Sequence, residues 1–273
     1  MKIWHQSMAP LDDFGVYPEV LATHLAEVVS PGTEVVLHGT TTGSYLGRQP
    51  VRVLRFPYAR HLIQRQALEY CYTAEQEGYD AVAFASFSEP YLTEARSLVD
   101  IPVASMPESN LLVGCSLGQQ MALITLSRRS VPRLRAMIAQ HGLTSRVSGV
   151  YAFDPTMPED DLLAVLAAGG TEAFTRRFTD LAARAIDGGA DLIIPAEGVL
   201  NEVLYVSGVS RVGDVGVMDG VATVFAYVEL LVRLRQRTGL GVGRAWTYPR
   251  PDPELLTELR RSAGLEGDDD GQP

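Results

Sequence analysis

The stretch Asp191-Leu-Ile-Ile-Pro-Ala-Glu-Gly-Val-Leu200 decides how the chain is read. It begins as a short apolar run and stops abruptly at a carboxylate followed by glycine. An apolar run of this length, bounded by turn residues, suits a parallel strand buried on both faces. Ligands of open parallel sheets bind outside the carboxyl ends of the strands, so Glu197 is the first candidate for chemistry. An earlier stretch repeats the pattern: Gly78-Tyr-Asp-Ala-Val-Ala-Phe-Ala-Ser86 aligns without a gap on Gly189-Ala-Asp-Leu-Ile-Ile-Pro-Ala-Glu197. Ser86 thus holds in the first copy the place that Glu197 holds in the second. The repeat predicts two similar α/β halves facing one another, each giving a residue to a shared cleft.

Outward from these two stretches, strands are expected at 2–6, 34–38, 102–106, 121–126, 147–153 and 215–218. Helical spacing of apolar residues covers 17–29, 59–77, 131–141, 171–187 and 219–237, with Leu62, Ala67, Leu68 and Cys71 on the inner side of the second. Shorter helices are expected up to Leu98, from Pro107, within 154–168, from about Asn201 and over 254–261. Strands alternating with helices mean an α/β fold with parallel sheets.

Composition narrows the class. With 273 residues, 46% hydrophobic and 21% charged, the chain has the makeup of an ordinary globular protein. No apolar run is long enough to cross a bilayer, and no signal-peptide core opens the chain, so no membrane association is expected. Two cysteines, Cys71 and Cys115, are too few for a disulfide framework, and a cytoplasmic setting is expected. Glu266, Asp268, Asp269 and Asp270 supply −4 of the net charge of −10, which leaves −6 for the rest. An acidic chain without a basic block argues against a nucleic-acid partner. The residues after Gly264 read as a solvating tail. Gly39-Thr-Thr-Thr-Gly-Ser44 is a loop without the Gly-Lys-Ser/Thr ending of a phosphate cradle, and the five histidines show no metal-ligand spacing.

Several segments, in order, carry a resemblance. Asp80-Ala-Val-Ala-Phe-Ala-Ser-Phe-Ser-Glu-Pro90, Pro102-Val-Ala-Ser-Met-Pro-Glu108, Leu123-Ile-Thr-Leu126, Gly189-Ala-Asp191 and Asp219-Gly-Val-Ala222 together resemble the aspartate/glutamate/hydantoin racemase superfamily, closest to its hydantoin-racemase-like branch. The resemblance implies two pseudo-symmetric parallel-sheet α/β domains, flavodoxin-like halves with the active site in the cleft between them. One half is expected at 1–118 with the returning helix at 219–240, the other at 119–218, and a linker, short helix and acidic tail at 241–273. It also implies cofactor-independent proton transfer at the α-carbon of a small carboxylate or cyclic amide or imide, in a homo-oligomer. In the family, a cysteine on each side of that carbon moves the proton. Here Ser86 stands at the first cysteine position and Glu197 at the second, and neither Cys71 nor Cys115 aligns with either.

These departures set the candidate roles. Glu197 is a general acid–base group or nucleophile, since burial raises a carboxyl into a useful range; the structural alternative is a carboxylate fixed by the backbone amides of the helix that follows. A serine hydroxyl is a poor base unless activated, so Ser86 is expected to hydrogen-bond the substrate, with helix capping as its alternative. The resemblance adds Ser7, Phe87, Ser88, Thr125, Ser127, Gly198 and Val199 as substrate-binding positions, although turn chemistry explains the hydroxyls separately. His5 and His38 end the first two strands and stay outside the catalytic set. Glu108 is assigned to its helix N-terminus, and Trp246 and Tyr248 to pinning the linker. The leading function is racemase or epimerase. A one-sided lyase or hydrolase in the same pocket is the alternative, and a binding protein that has lost catalysis the third.

Overall fold

The computed structural model describes residues 1–265; Glu266 to Pro273, assigned above to the tail, lie outside the described residues. The first run of elements is β1 (Lys2–Gln6), α1 (Tyr17–Val28), β2 (Glu34–His38), α2 (Pro50–Val53), α3 (Pro57–Gln64), α4 (Gln66–Gln76), β3 (Ala81–Phe84), α5 (Leu92–Leu98), β4 (Val103–Ser105) and α6 (Met106–Leu117). The second is β5 (Met121–Thr125), α7 (Val131–Gln140), β6 (Val147–Ala152), α8 (Glu159–Ala168), α9 (Glu172–Asp187), β7 (Leu192–Pro195), α10 (Gly198–Val206), β8 (Arg211–Val212), β9 (Val215–Val217) and α11 (Gly220–Thr238), with α12 (Pro253–Ser262) after the linker.

The strands form two sheets, ordered β2-β1-β3-β4 and β6-β5-β7-β9-β8. Every pairing is parallel except β8 with β9. Apart from the antiparallel edge, the second order repeats the first, with β5 in the place of β1 and β7 in the place of β3. The fold is therefore α/β in two sheet-and-helix halves, and the sequence repeat has its counterpart in topology.

Strand periodicity explains how the first sheet is covered on both faces. Ile3, Ala81, Ala83 and Ala104 point into a core shared with Met121–Ile124 of the second sheet and with α11. Their neighbours Trp4, Val82, Phe84 and Val103 point the other way and pack with Ala67, Cys71 and Ala74 of α4. Asp219 opens α11 by accepting from the Ala222 amide at 2.9 Å, and Gly239 closes it in the left-handed conformation that glycine adopts without strain. Between those ends α11 packs on α6, β3 and β4.

Several expectations are corrected. The long helix at 59–77 is two, α3 and α4, joined at Arg65. The break shifts the helical phase, so Ile63 turns inward while Leu62 is exposed. Helix α10 starts at Gly198, three residues before Asn201, because Glu197 is still extended (φ −155°, ψ 143°) and the helix follows at once. The four-residue α2 and two-residue β8 are too short to show periodicity. Trp246 is 91% exposed and pins nothing. The linker is held by Arg244, which donates to the carbonyls of Arg96 (2.7 Å) and Val99 (2.6 Å), and by Arg250, which pairs with Glu75 (2.6 Å). Among the described residues no helix is long and apolar enough to cross a membrane.

Candidate active site

The residues just past the central strands of both sheets meet at one cavity of about 1100 Å³. Ser7 and Met8 follow β1, Ala85 and Ser86 follow β3, Leu126 and Ser127 follow β5, and Glu197 and Gly198 follow β7. This is the crevice that parallel sheets leave at their carboxyl ends. Ser86 and Glu197 each stand two residues past the last residue of equivalent strands, so the repeat delivers both to the same cavity.

Glu197 occupies the N-cap position of α10 yet makes no capping hydrogen bond. Its side chain turns to Thr125, whose hydroxyl donates to Oε1 at 2.9 Å. That geometry removes the alternative in which backbone amides fix the carboxylate. Burial pushes the Glu197 carboxyl above its ordinary range, while the Arg133 guanidinium and the Thr125 hydrogen bond hold it back. Arg133 is itself placed by donating to the Phe87 carbonyl at 2.6 Å. Phe87 and Thr125 therefore stand behind the cavity wall, where both support groups that face it.

Of the other expected positions, Ser7, Ser86, Ser88, Ser127, Gly198 and Val199 all line the cavity. The Ser86 hydroxyl lies 2.9 Å from that of Ser88 and accepts from the Ser88 amide at 3.3 Å. Among the described residues no histidine or carboxylate bonds it, and none activates it as a base. Ser7 accepts from the Ala9 amide (2.9 Å) and Ser127 from the Arg129 amide (3.3 Å), which leaves each hydroxyl proton free for a ligand oxygen. At Gly198 an added Cβ would sit 3.1 Å from the Tyr17 hydroxyl, so the small residue keeps the floor of the site open.

His5, His38, Cys71, Cys115 and Glu108 do not line it. His5 is fully buried, both ring nitrogens lack partners among the described residues, and burial lowers its pKa to about 4, which keeps it neutral. His38 stacks on Trp4 with centroids 3.3 Å apart. Glu108 pairs with Arg96, and its amide donates to Ser105 at 3.2 Å.

Sequence reading missed a second carboxyl. Glu159, the first residue of α8, lines the cavity, and its buried Oε2 has no hydrogen-bond partner among the described residues. Burial, reinforced by the nearby negative charge of Glu197, raises its pKa to about 8. Arg133 was also missed, although its helix was expected. The apolar stripe Leu134, Met137 and Ile138 turns inward, and Arg133 is the residue beside it.

A different charged group lies further along α10. His24 of α1 is buried between Glu202, with Nδ1 3.1 Å from each carboxylate oxygen, and Asp219, 2.7 Å from Nε2. Burial opposes a charge on His24, but its two acidic partners outweigh that and lift the pKa to about 9. Asn201 completes the cluster, donating to Asp219 at 3.1 Å and accepting from the Gly220 amide at 2.7 Å.

Comparison with known proteins places this architecture. A family model described as Asp/Glu/Hydantoin racemase matches residues 18–226. A hydantoin racemase from Pseudomonas sp. (strain NS671) is 24% identical over 198 residues, 71% of this chain and 74% of the relative. The allantoin racemase from Klebsiella pneumoniae superposes with a TM-score of 0.74 at 21% identity, covering 92% of this chain and 94% of that one. The allantoin racemase from Pseudomonas fluorescens gives 0.73 at 24%, covering 93% and 98%. The structural likenesses speak for the fold.

Proposed function

The chain belongs to the Asp/Glu/hydantoin racemase family, and on that premise we propose a cofactor-independent racemase or epimerase that moves a proton at the carbon α to a carbonyl. The observation that carries the proposal is Glu197: a carboxyl at the exit of a central strand, withheld from its own helix and turned to the cavity by Thr125. Glu197 and Glu159 act as the acid–base pair, in place of two thiols. Two neighbouring carboxyls in a buried site do not both ionise readily, so near neutral pH the pair shares one proton. Arg133 and Thr125 favour the anion on Glu197, and the absence of a partner on Oε2 favours the proton on Glu159. Glu197 removes the α-proton from one enantiomer while Glu159 returns a proton; the inverted protonation state serves the other enantiomer. Ser86, Ser88, Ser7 and Ser127 donate to carbonyl or imide oxygens, and the amides of Gly198 and Val199 at the uncapped start of α10 face the negative charge that builds as the proton leaves.

One feature favours a second reading. Ser86 has no activating base, so a decarboxylase or hydrolase that works from the Glu197 side alone uses the same pocket. Proton NMR in heavy water with 5-substituted hydantoins, acidic amino acids and malonates separates the two. Loss of the α-proton signal with substrate intact supports racemisation. Conversion to a new product moves the assignment to lyase or hydrolase. Undiminished exchange in Glu197→Gln would falsify the assignment of Glu197.

A further inference from the structure

The cavity is walled by six arginines. Arg48, Arg52 and Arg55 come from the segment around α2, Arg60 from α3, Arg129 from the turn before α7 and Arg133 from α7. Three carboxyl residues, Glu159, Asp160 and Glu197, face them. A chain with 23 basic and 33 acidic residues thus reverses its balance at one place. The reversal is larger at neutral pH, because burial keeps Glu159 mostly protonated.

The convergence of these arginines is as telling as their number. Elsewhere, Arg96, Arg128, Arg233, Arg244, Arg250 and Arg260 close on a carboxylate, and arginines without one among the described residues, such as Arg135, Arg184 and Arg237, lie scattered on separate helices. At the cavity, Arg48, Arg52, Arg60 and Arg129, none with a carboxylate partner among the described residues, are gathered in one place, and Arg55 lies over the Phe56 ring at 4.4 Å. Arg60 is near enough to Arg133 that its positive charge helps burial to lower the Arg133 pKa. Converging cations without partners repel one another and keep their donors open for an anion. Arg48, Arg52, Arg55 and Arg129 are exposed, whereas Arg60 and Arg133 are partly buried, and Arg133 is close enough to Glu197 for its charge to act on that carboxyl.

Resting on the proton-transfer reading above, we infer that the substrate is a carbon acid carrying a multiply charged oxyanion tail, with its reacting carbon at Glu197 and the tail held by the arginines at the mouth. The shared chemistry of that tail is carboxylate or phosphate, which guanidinium groups bind through paired N–H donors. The cavity volume of about 1100 Å³ lies just above the roughly 300–1,000 Å³ of ordinary small-ligand sites, so a tail fits beside a five-membered ring.

Two measurements on the full chain test this, and they separate its failure from failure of the chemistry. The first is calorimetric binding of inorganic pyrophosphate and of tricarballylate, which needs no turnover. Both should bind more weakly, by about tenfold or more, to a variant carrying Arg52→Gln, Arg55→Gln and Arg129→Gln, and more weakly in high salt. Absence of binding to the unaltered protein, or equal binding by the variant, overturns the inference whatever the activity. The second compares α-proton exchange for hydantoins whose 5-substituent is a neutral alkyl, a carboxyalkyl or a phosphoryloxyalkyl chain. One charged series should exceed the neutral one in kcat/KM by about 100-fold, and the better series identifies the tail. Exchange with the neutral compound equal to both overturns the inference. Anion binding without any exchange leaves the arginine site standing and removes the racemase reading instead.

Discussion

Glu197 and Glu202 belong to the same helical segment, and their surroundings could hardly differ more. Glu202 is fully buried with both oxygens on His24 and a further hydrogen bond from Asn201 at 3.3 Å. Everything it needs is supplied by two helices, α1 and α10. Glu197 has a single hydrogen-bond partner among the described residues, Thr125, and otherwise faces a cavity with another buried carboxyl and an arginine nearby. A buried charge that is fully partnered within the protein fixes helices against one another. One left partly unpaired at a cavity keeps its capacity for a ligand. The same residue type, about a turn and a half apart, therefore has a structural use in one place and a chemical use in the other.

The comparison breaks most visibly at Glu197. Replacing it by glutamine keeps size and the Thr125 contact but removes the ability to take a proton, and exchange should fall by about 10²–10⁴-fold. The urea midpoint should stay within the range of ordinary surface changes. Glu159→Gln should stop racemisation, since glutamine cannot return the proton, while one-sided α-proton exchange at Glu197 continues with an altered pH profile. In the unaltered enzyme activity should decline as pH rises through about 8, where the shared proton leaves the pair. Glutamine cannot lose that proton, so the decline near 8 should disappear. A profile that keeps it would remove Glu159 from the pair.

The two charged groups differ equally in how far the sequence announces them. Glu197 and Ser86 were legible because each follows a short apolar strand whose end is marked by turn residues, and because the two strands repeat. The α/β alternation was legible for the same local reason. Glu159 and Arg133 sit on elements that were expected, but nothing local tells which face of α8 or α7 meets the cavity. The His24 cluster was invisible: its partners lie 178 and 195 residues away, and only packing brings them together. The Arg65 break that exchanges Ile63 for Leu62 leaves Arg65 in an ordinary helical conformation, so the pattern gave no warning.

His24 gives the matching experiment on the structural side. His24→Leu strands Glu202 as a buried charge without its partner and should cost about 3–5 kcal/mol in urea unfolding. Proton exchange per folded molecule should persist, since His24 touches nothing in the cavity. The pH dependence has a definite sign. The folded pKa of about 9 lies above the ordinary value of 6.5, so the stabilisation is complete below about 6.5 and is lost as pH rises to about 9. Glu159 acts in the same direction between its ordinary 4.5 and about 8, because the folded chain holds a proton that the unfolded chain releases. Thermal midpoints should therefore fall from pH 6.5 to 9, above the range in which neutral His5 acts in the opposite direction, and His24→Leu should flatten that slope. A midpoint that rises over that interval would refute the charged sandwich.

The smallest expected effect tests the difference between the two glutamates most narrowly. Thr125→Val keeps the shape of the β5 terminus and deletes only the hydroxyl that donates to Glu197. That hydrogen bond favours the ionised carboxylate, against the burial that favours the neutral acid. A bond to a charged group contributes about 1.5 kcal/mol or slightly more, which corresponds to about one pH unit. The acid limb of the exchange profile should move upward by about that amount, with the plateau rate nearly unchanged. An unshifted limb with a lower plateau would mean that Thr125 aims the carboxylate without tuning it. Glu202→Gln, made in parallel, should leave the limb where it is and lower stability, because its carboxylate is bound to His24 and Asn201 and does not line the cavity.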